Sequence, residues 1–115
     1  MLDDILTPEE RAVVARARAF AEEHVAPNAA RWEWERRYPL DAIKAACAIG
    51  LNTIELARAH GGQGLSFSCK LRAFEEIAKH DFAFAFALIN HHNACARFAR
   101  DGKPAHVARL LPRMI

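Results

Sequence analysis

The segment Asp81-Phe82-Ala83-Phe84-Ala85-Phe86-Ala87-Leu88-Ile89-Asn90-His91-His92 admits two readings, and the choice between them decides the fold. From Phe82 to Ala87 phenylalanine and alanine alternate with period two, as on a half-buried strand. Alanine, however, is poor in strands and the best helix former. Asp81 is a favourable N-cap, and the apolar pattern runs on through Leu88, Ile89, Cys95 and Phe98 to about Ala99 before Gly102. That is about five helical turns, so the segment reads as a helix. A helix apolar around most of its circumference is expected to be central and buried. Five short helices supply little cover, so part of its apolar surface is expected to meet another domain, a subunit or an acyl-type ligand.

Working outward, helical signals recur on both sides. Ser66 or Ser68 can cap a helix whose Leu71, Phe74, Ile77 and Ala78 form one apolar stripe. Pro39 and Asp41 open another through Ile43, Ala46, Cys47 and Ile49, with Gly50 in the C-terminal glycine position. A segment from about Pro27 to Arg37 carries Trp32 and Trp34, which point to roughly opposite faces, so at most one anchors a core. Thr7-Pro8-Glu9-Glu10 is a capping box with proline at the first helical position, and Val13, Ala17, Phe20, Ala21 and Val25 follow at helical spacing. Pro104 begins a short last helix with Val107, Leu110 and Leu111, stopped near Pro112. Leu51 to Leu56 reads as extended, followed by the loop Gly61-Gly62-Gln63-Gly64. The sum is an all-α chain, a helical bundle of five to six helices, with residues 1–115 forming a single helical domain and no internal repeat or linker.

Composition narrows the function classes. The chain has 115 residues, 52% of them hydrophobic, and 24 of those are alanine, which signals close helix packing rather than a greasy core. The longest apolar run, Phe82 to Ile89, is far short of the roughly 18 residues of a membrane span. Met1-Leu2-Asp3-Asp4 is acidic where a signal peptide is basic, and the chain reads as cytoplasmic. Cys47, Cys69 and Cys95 are odd in number and scattered, which suits thiols better than a disulfide framework. A net charge of +2 with acids and bases interleaved gives no sign of nucleic-acid binding.

Candidate chemistry is sparse. The glycine loop lacks the spacing and the lysine of a phosphate-binding loop, and a tight turn is the simpler reading. His91 and Cys95 lie four residues apart on one helical face, but no acidic third ligand stands nearby, so no metal site is assigned. Glu75 and Glu76 diverge by about 100° on a helix and cannot share one acid–base site. No Ser, Cys and His arrangement has a nucleophile's context. The residues thus supply no catalytic group.

Taken in order, the motifs resemble the opening of the acyl-CoA dehydrogenase family. The resemblance rests on Leu6-Thr7-Pro8-Glu9-Glu10-Arg11, on Arg18-Ala19-Phe20-Ala21-Glu22-Glu23-His24-Val25-Ala26-Pro27, and on Trp32-Glu33. Tyr38-Pro39, Ile49-Gly50-Leu51, Gly61-Gly62-Gln63-Gly64-Leu65-Ser66, Glu75-Glu76-Ile77-Ala78 with Asp81, and Leu110-Leu111-Pro112 continue it over essentially the whole chain. It implies the N-terminal helical domain of a three-domain, FAD-dependent oxidoreductase of fatty acid metabolism. Such enzymes carry out α,β-dehydrogenation of an acyl-CoA thioester and pass electrons to an electron-transferring flavoprotein. The middle β-domain and the C-terminal helical domain, which carry the flavin site and the carboxylate base, are absent from this chain. It is therefore not expected to be catalytic or to hold FAD alone, and the complete enzyme is expected to be a homo-oligomer. By the same resemblance Ala85, Phe86 and Ile89 line the distal end of the acyl pocket, where dense phenylalanines suit a short, branched or aromatic acyl group.

Two positions depart from the family pattern. Ala57 stands where a proline usually precedes the glycine loop, and Gly102-Lys103-Pro104-Ala105 replaces the usual acidic start of the last helix. Related acyl-CoA oxidases and flavin monooxygenases share this domain, and a non-catalytic helical interaction module is the competing class of function. A metal-binding helical protein using His91 and Cys95 is a third.

Overall fold

The Phe82 segment is helical from its cap onward: the Phe84 amide donates to Asp81 Oδ1 at 3.2 Å, and the helix runs unbroken over Phe82–Asp101. A computed structural model describes all of residues 1–115. It contains seven α-helices and no strand: α1 (Leu2–Ile5), α2 (Pro8–Phe20), α3 (Ala29–Glu35), α4 (Leu40–Ala48), α5 (Phe67–Ala78), α6 (Phe82–Asp101) and α7 (Pro104–Leu110). The extra helix over the five to six expected is the single turn α1. Helix α2 continues into a π-helical turn, Ala21–Val25, and α3 begins at Ala29, two residues after Pro27. Leu51 to Leu56, expected to be extended, is an irregular segment of bends and turns.

The helix starts are tied to one another. Glu10 completes the capping box with the Thr7 amide (3.0 Å) through Oε2, and its Oε1 accepts the Ser66 amide at 2.9 Å. Ser66 in turn caps α5, its hydroxyl accepting from the Cys69 amide at 3.1 Å. One buried carboxylate thus fixes the N-termini of two helices distant in sequence. The Ser66 side chain first, then the Thr7 and Ser66 amides, hold the Glu10 carboxyl below the usual range.

Between α2, α5 and α6 lies the main core, built from Val13, Ala17, Phe20, Ala73, Ile77, Leu88 and their neighbours. Trp32 stacks on Phe84 with ring centroids 5.5 Å apart, and Phe20 lies 6.1 Å from the same ring, so α3 is pinned to this core. Trp34, on the opposite face of α3, is 89% exposed. A smaller cluster, Cys95, Val107 and Leu111, joins α7 to the end of α6. Glycine is required at Gly62, where a Cβ would lie 2.0 Å from the Leu56 carbonyl oxygen.

The whole is a slab of 42 × 36 × 17 Å. With helix axes roughly 8–10 Å apart, that thickness holds two layers. Helix α6 is central and buried on one face only, in keeping with the little cover five short helices supply: Phe84, Ala85, Leu88, His92 and Cys95 are buried, while Phe82 and Phe86 are open.

On the edge of α5, the buried Glu76 carboxylate accepts from Arg18 Nε (3.1 Å), Arg72 Nη2 (2.9 Å) and Lys79 Nζ (2.9 Å). Arg72 also reaches Asp3 at 2.8 Å, which explains why four residues hold together as α1. Arg18 is the first cause of a Glu76 pKa lowered to about 2. A lowered folded-state pKa means stability that is present above about 4.5, the ordinary value, and is lost as pH falls toward 2. Urea unfolding of Glu76→Gln is expected to show a loss of about 2 kcal/mol at neutral pH and a flatter profile between pH 4.5 and 2. Ala57 sits at φ −59° with its amide outside the backbone hydrogen-bond network. Ala57→Pro is accordingly expected to raise stability by about 0.4–1 kcal/mol in the same assay.

Candidate functional site

A stripe along the outer side of α6 brings Phe82, Ala85, Phe86 and Ile89 onto one face, at the i, i+3, i+4, i+7 spacing of neighbouring turns. The Phe82 and Phe86 rings stack at 5.9 Å and are 70% and 56% exposed. Ile89 is half-buried against the core, and Ala85 lies at the inner edge, 5% exposed. Of the three residues assigned to an acyl-pocket wall, Phe86 is thus open, Ile89 is on the margin, and Ala85 belongs to the core packing. Beside the stripe an open groove of about 740 Å³ runs between α3 and the start of α6, lined among others by Trp32, Tyr38, Phe82, Phe84, Arg36 and Arg37. From the sequence, Phe82 falls with Phe84, Phe86 and Phe98 in a set that is more often core than ligand pocket, and the groove is not visible. Phe82 was findable as the residue one turn before Phe86, whereas the groove depends on how α3 turns back after the π-helical segment.

The inner side of α6 is fixed by polar contacts. His92 is fully buried, its Nε2 accepting the Glu55 amide at 3.1 Å, with Phe74 edge-on at 6.1 Å. Burial, then the nearby Lys70 charge, pushes its pKa down to about 4, so the imidazole is neutral. Above it, the Lys70 ammonium is nearly buried, bound to Glu55, to Asn93 Oδ1 at 3.2 Å, and over the Phe67 ring at 4.8 Å. Helix α6 is thereby locked to the irregular segment before the glycine loop, and its outer stripe is held at a set angle.

The remaining candidates fall into structural roles. In the glycine loop the Gly61, Gly62, Gln63 and Gly64 amides donate to the carbonyls of Arg58, Ala57, Thr53 and Leu56, leaving no row of free amides to cradle a phosphate. The loop therefore does not fit a flavin pyrophosphate. His91 Nε2 lies 2.7 Å from the Met114 carbonyl oxygen and 3.8 Å from Cys95 Sγ, and no group of three His, Cys, Asp or Glu side chains comes together anywhere in the chain. Glu76 is buried among its cations while Glu75 faces solvent. Burial raises the thiol pKa at Cys47, Cys69 and Cys95, all free. No helix is long and apolar enough to cross a membrane.

Comparison with known proteins gives this geometry a context. Residues 7–115 match the family model described as acyl-CoA dehydrogenase, N-terminal domain. The chain belongs to the acyl-CoA dehydrogenase family. The match begins at the Thr7 cap, so the turn α1 precedes the shared domain. Among relatives, a mitochondrial isobutyryl-CoA dehydrogenase of Dictyostelium discoideum is 32% identical over 79% of this chain and 22% of its own length. A mitochondrial isovaleryl-CoA dehydrogenase of Oryza sativa subsp. japonica is 29% identical over 84% and 24%. A short-chain-specific acyl-CoA dehydrogenase of Clostridium acetobutylicum is 30% identical over 87% and 26%. The chain spans about a quarter of the length of these relatives.

In this acyl-CoA dehydrogenase domain the neutral His92 makes a testable demand. Its folded-state pKa lies below the ordinary 6.5, so the unfolded chain binds the proton first, and stability falls as pH drops from about 6.5 to about 4. The loss is expected to be on the order of 3 kcal/mol, to precede the Glu76 region of the profile, and to disappear in His92→Gln when unfolding is followed across that range.

Proposed function

We propose that this chain is the N-terminal helical domain of an FAD-dependent acyl-CoA dehydrogenase-type oxidoreductase, where the outer stripe of α6 forms part of the acyl-pocket wall and of the contact with the other domains. One observation carries the reading: a family domain leaves Phe82 and Phe86 uncovered on its longest helix, with the half-buried Ile89 at their margin. Such a stripe needs an apolar cover, and an acyl chain together with the remaining domains would provide it. Phe86 is the residue placed to meet the acyl end, Ile89 borders it, and Ala85 supports both from the core side. Two phenylalanine rings in that wall leave room for a short, branched or aromatic acyl group. The names of the relatives, isobutyryl-CoA, isovaleryl-CoA and short-chain-specific enzymes, support the same class.

In the complete enzyme the α proton would go to a carboxylate and the β hydride to FAD, both held by parts of the enzyme outside these residues. An electron-transferring flavoprotein would then accept the electrons. FAD supplies the hydride-accepting chemistry, and this domain shapes the site and excludes water. Homo-oligomerisation follows from the same reading.

Grafting residues 7–115 onto the Clostridium acetobutylicum enzyme in place of its own N-terminal domain tests this. The chain alone is expected to be colourless, and the chimera to be yellow near 450 nm and active on short acyl-CoA esters. Phe86→Ala in the chimera is expected to shift kcat/KM toward acyl groups about two methylenes longer by roughly tenfold, at about 0.8 kcal/mol per buried methylene. A flavin-loaded, active chimera whose chain-length profile ignores Phe86→Ala would sink the pocket assignment.

A further inference from the structure

At the far end of α6, about 20 Å along the axis from the phenylalanine stripe, the surface changes character. Residues 91–115 hold five of the chain's sixteen Lys and Arg residues and one of its fourteen acids, a net +4, while residues 1–90 are net −2. All five cations, Arg97, Arg100, Lys103, Arg109 and Arg113, are exposed. Asp101 engages only Arg97 and Arg100, and Lys103, Arg109 and Arg113 have no acidic partner. Two open grooves of about 610 and 600 Å³ flank this region and share His60, Ala99 and Arg100, so they form one continuous channel. Its first half is polar, with Arg97 and Arg100 exposed at its edge and the nearly buried Lys70 paired to Glu55. Its second half, between α6 and α7, is floored by Val107 and Leu111 and edged by Ala108.

We propose that this channel is a docking surface for an acidic, amphipathic peptide segment of a partner protein. Carboxylates on the segment would meet Arg97, Arg100 and Lys103, and its apolar side chains would enter the groove over Val107 and Leu111. Charge complementarity selects the occupant, because a net-positive segment on an otherwise slightly acidic domain, with Arg97 and Arg100 at the groove, attracts and orients a negative partner. A nucleic acid fits less well: no exposed Phe, Tyr or Trp lies in residues 91–115 to stack on bases. A lipid surface also fits less well, since the apolar residues here are buried at the floor of a concavity, and the protruding aromatics Trp34, Phe82 and Phe86 lie elsewhere. The proposal is independent of the acyl-pocket reading.

Titration calorimetry of the 115-residue chain with two amphipathic peptides of equal length and identical leucine placement, one glutamate-rich and one lysine-rich, tests it. The glutamate peptide is expected to bind one-to-one and the lysine peptide not at all. Arg97→Glu with Arg100→Glu is expected to weaken binding roughly tenfold, the sum of two lost or reversed exposed pairs. Ala108→Trp, which fills the groove from an exposed position, is expected to abolish binding, and Phe86→Ala at the other end of α6 to leave it unchanged. The charge-reversal variant alters only exposed side chains, so it stays informative if Ala108→Trp fails to fold. Failure of the glutamate peptide to bind, or binding insensitive to the charge reversal, overturns the proposal. So does tighter binding, under the same conditions, to phosphatidylserine vesicles or duplex DNA than to the glutamate peptide.

Discussion

A slab 17 Å thick has room for two layers of helices, and most of what is distinctive here follows from that limit. Helix α6 can bury one face, and does so with Phe84 and Leu88 against α2, α3 and α5, His92 against the Glu55 segment and Phe74 of α5, and Cys95 against α7. Its other face has nothing to lie against, whatever residues it carries. Phe82 and Phe86 are therefore open because a third layer is missing within the chain, and a short stretch of apolar sequence becomes a surface.

Within those two layers, buried polar side chains fix the register that apolar contacts leave loose. Glu10 joins the starts of α2 and α5, Glu76 ties α5 to Arg18 of α2, and His92 holds the segment at Glu55. Apolar packing is non-directional, and alanine-rich faces slide at little cost. Each of these polar groups instead has partners at one separation only, and leaving any unpaired would cost the desolvation of a buried donor or acceptor. The angle at which α6 presents its stripe is thus set by contacts on the opposite side of the helix.

Much of the fold was legible in the sequence. Asp81 and Ser66 cap where hydroxyl and carboxylate side chains should, and the Thr7–Glu10 box closes as its spacing dictates. The choice of helix over strand for Phe82 to Ala87 holds, because alanine propensity and the cap act locally. Less legible were α1, which depends on Arg72 reaching Asp3, and the irregular Leu51–Leu56 segment, which depends on His92. Of the site, Phe86 could be read as surface only by knowing how many layers the helices form. Ala85 could be read as core only by knowing which way α6 is turned.

The sequence by itself determined the helical class, the caps, the family and the presence of a long apolar helix, since these rest on local propensity, short-range hydrogen bonds and the order of motifs. Tertiary structure decided which side of that helix is bare, that Glu76 rather than Glu75 is enclosed by cations, and that Arg97 and Arg100 border a groove continued by α7. Those outcomes depend on distances between residues far apart in the chain, and helical periodicity records a residue's angle about its own axis but not what stands opposite it.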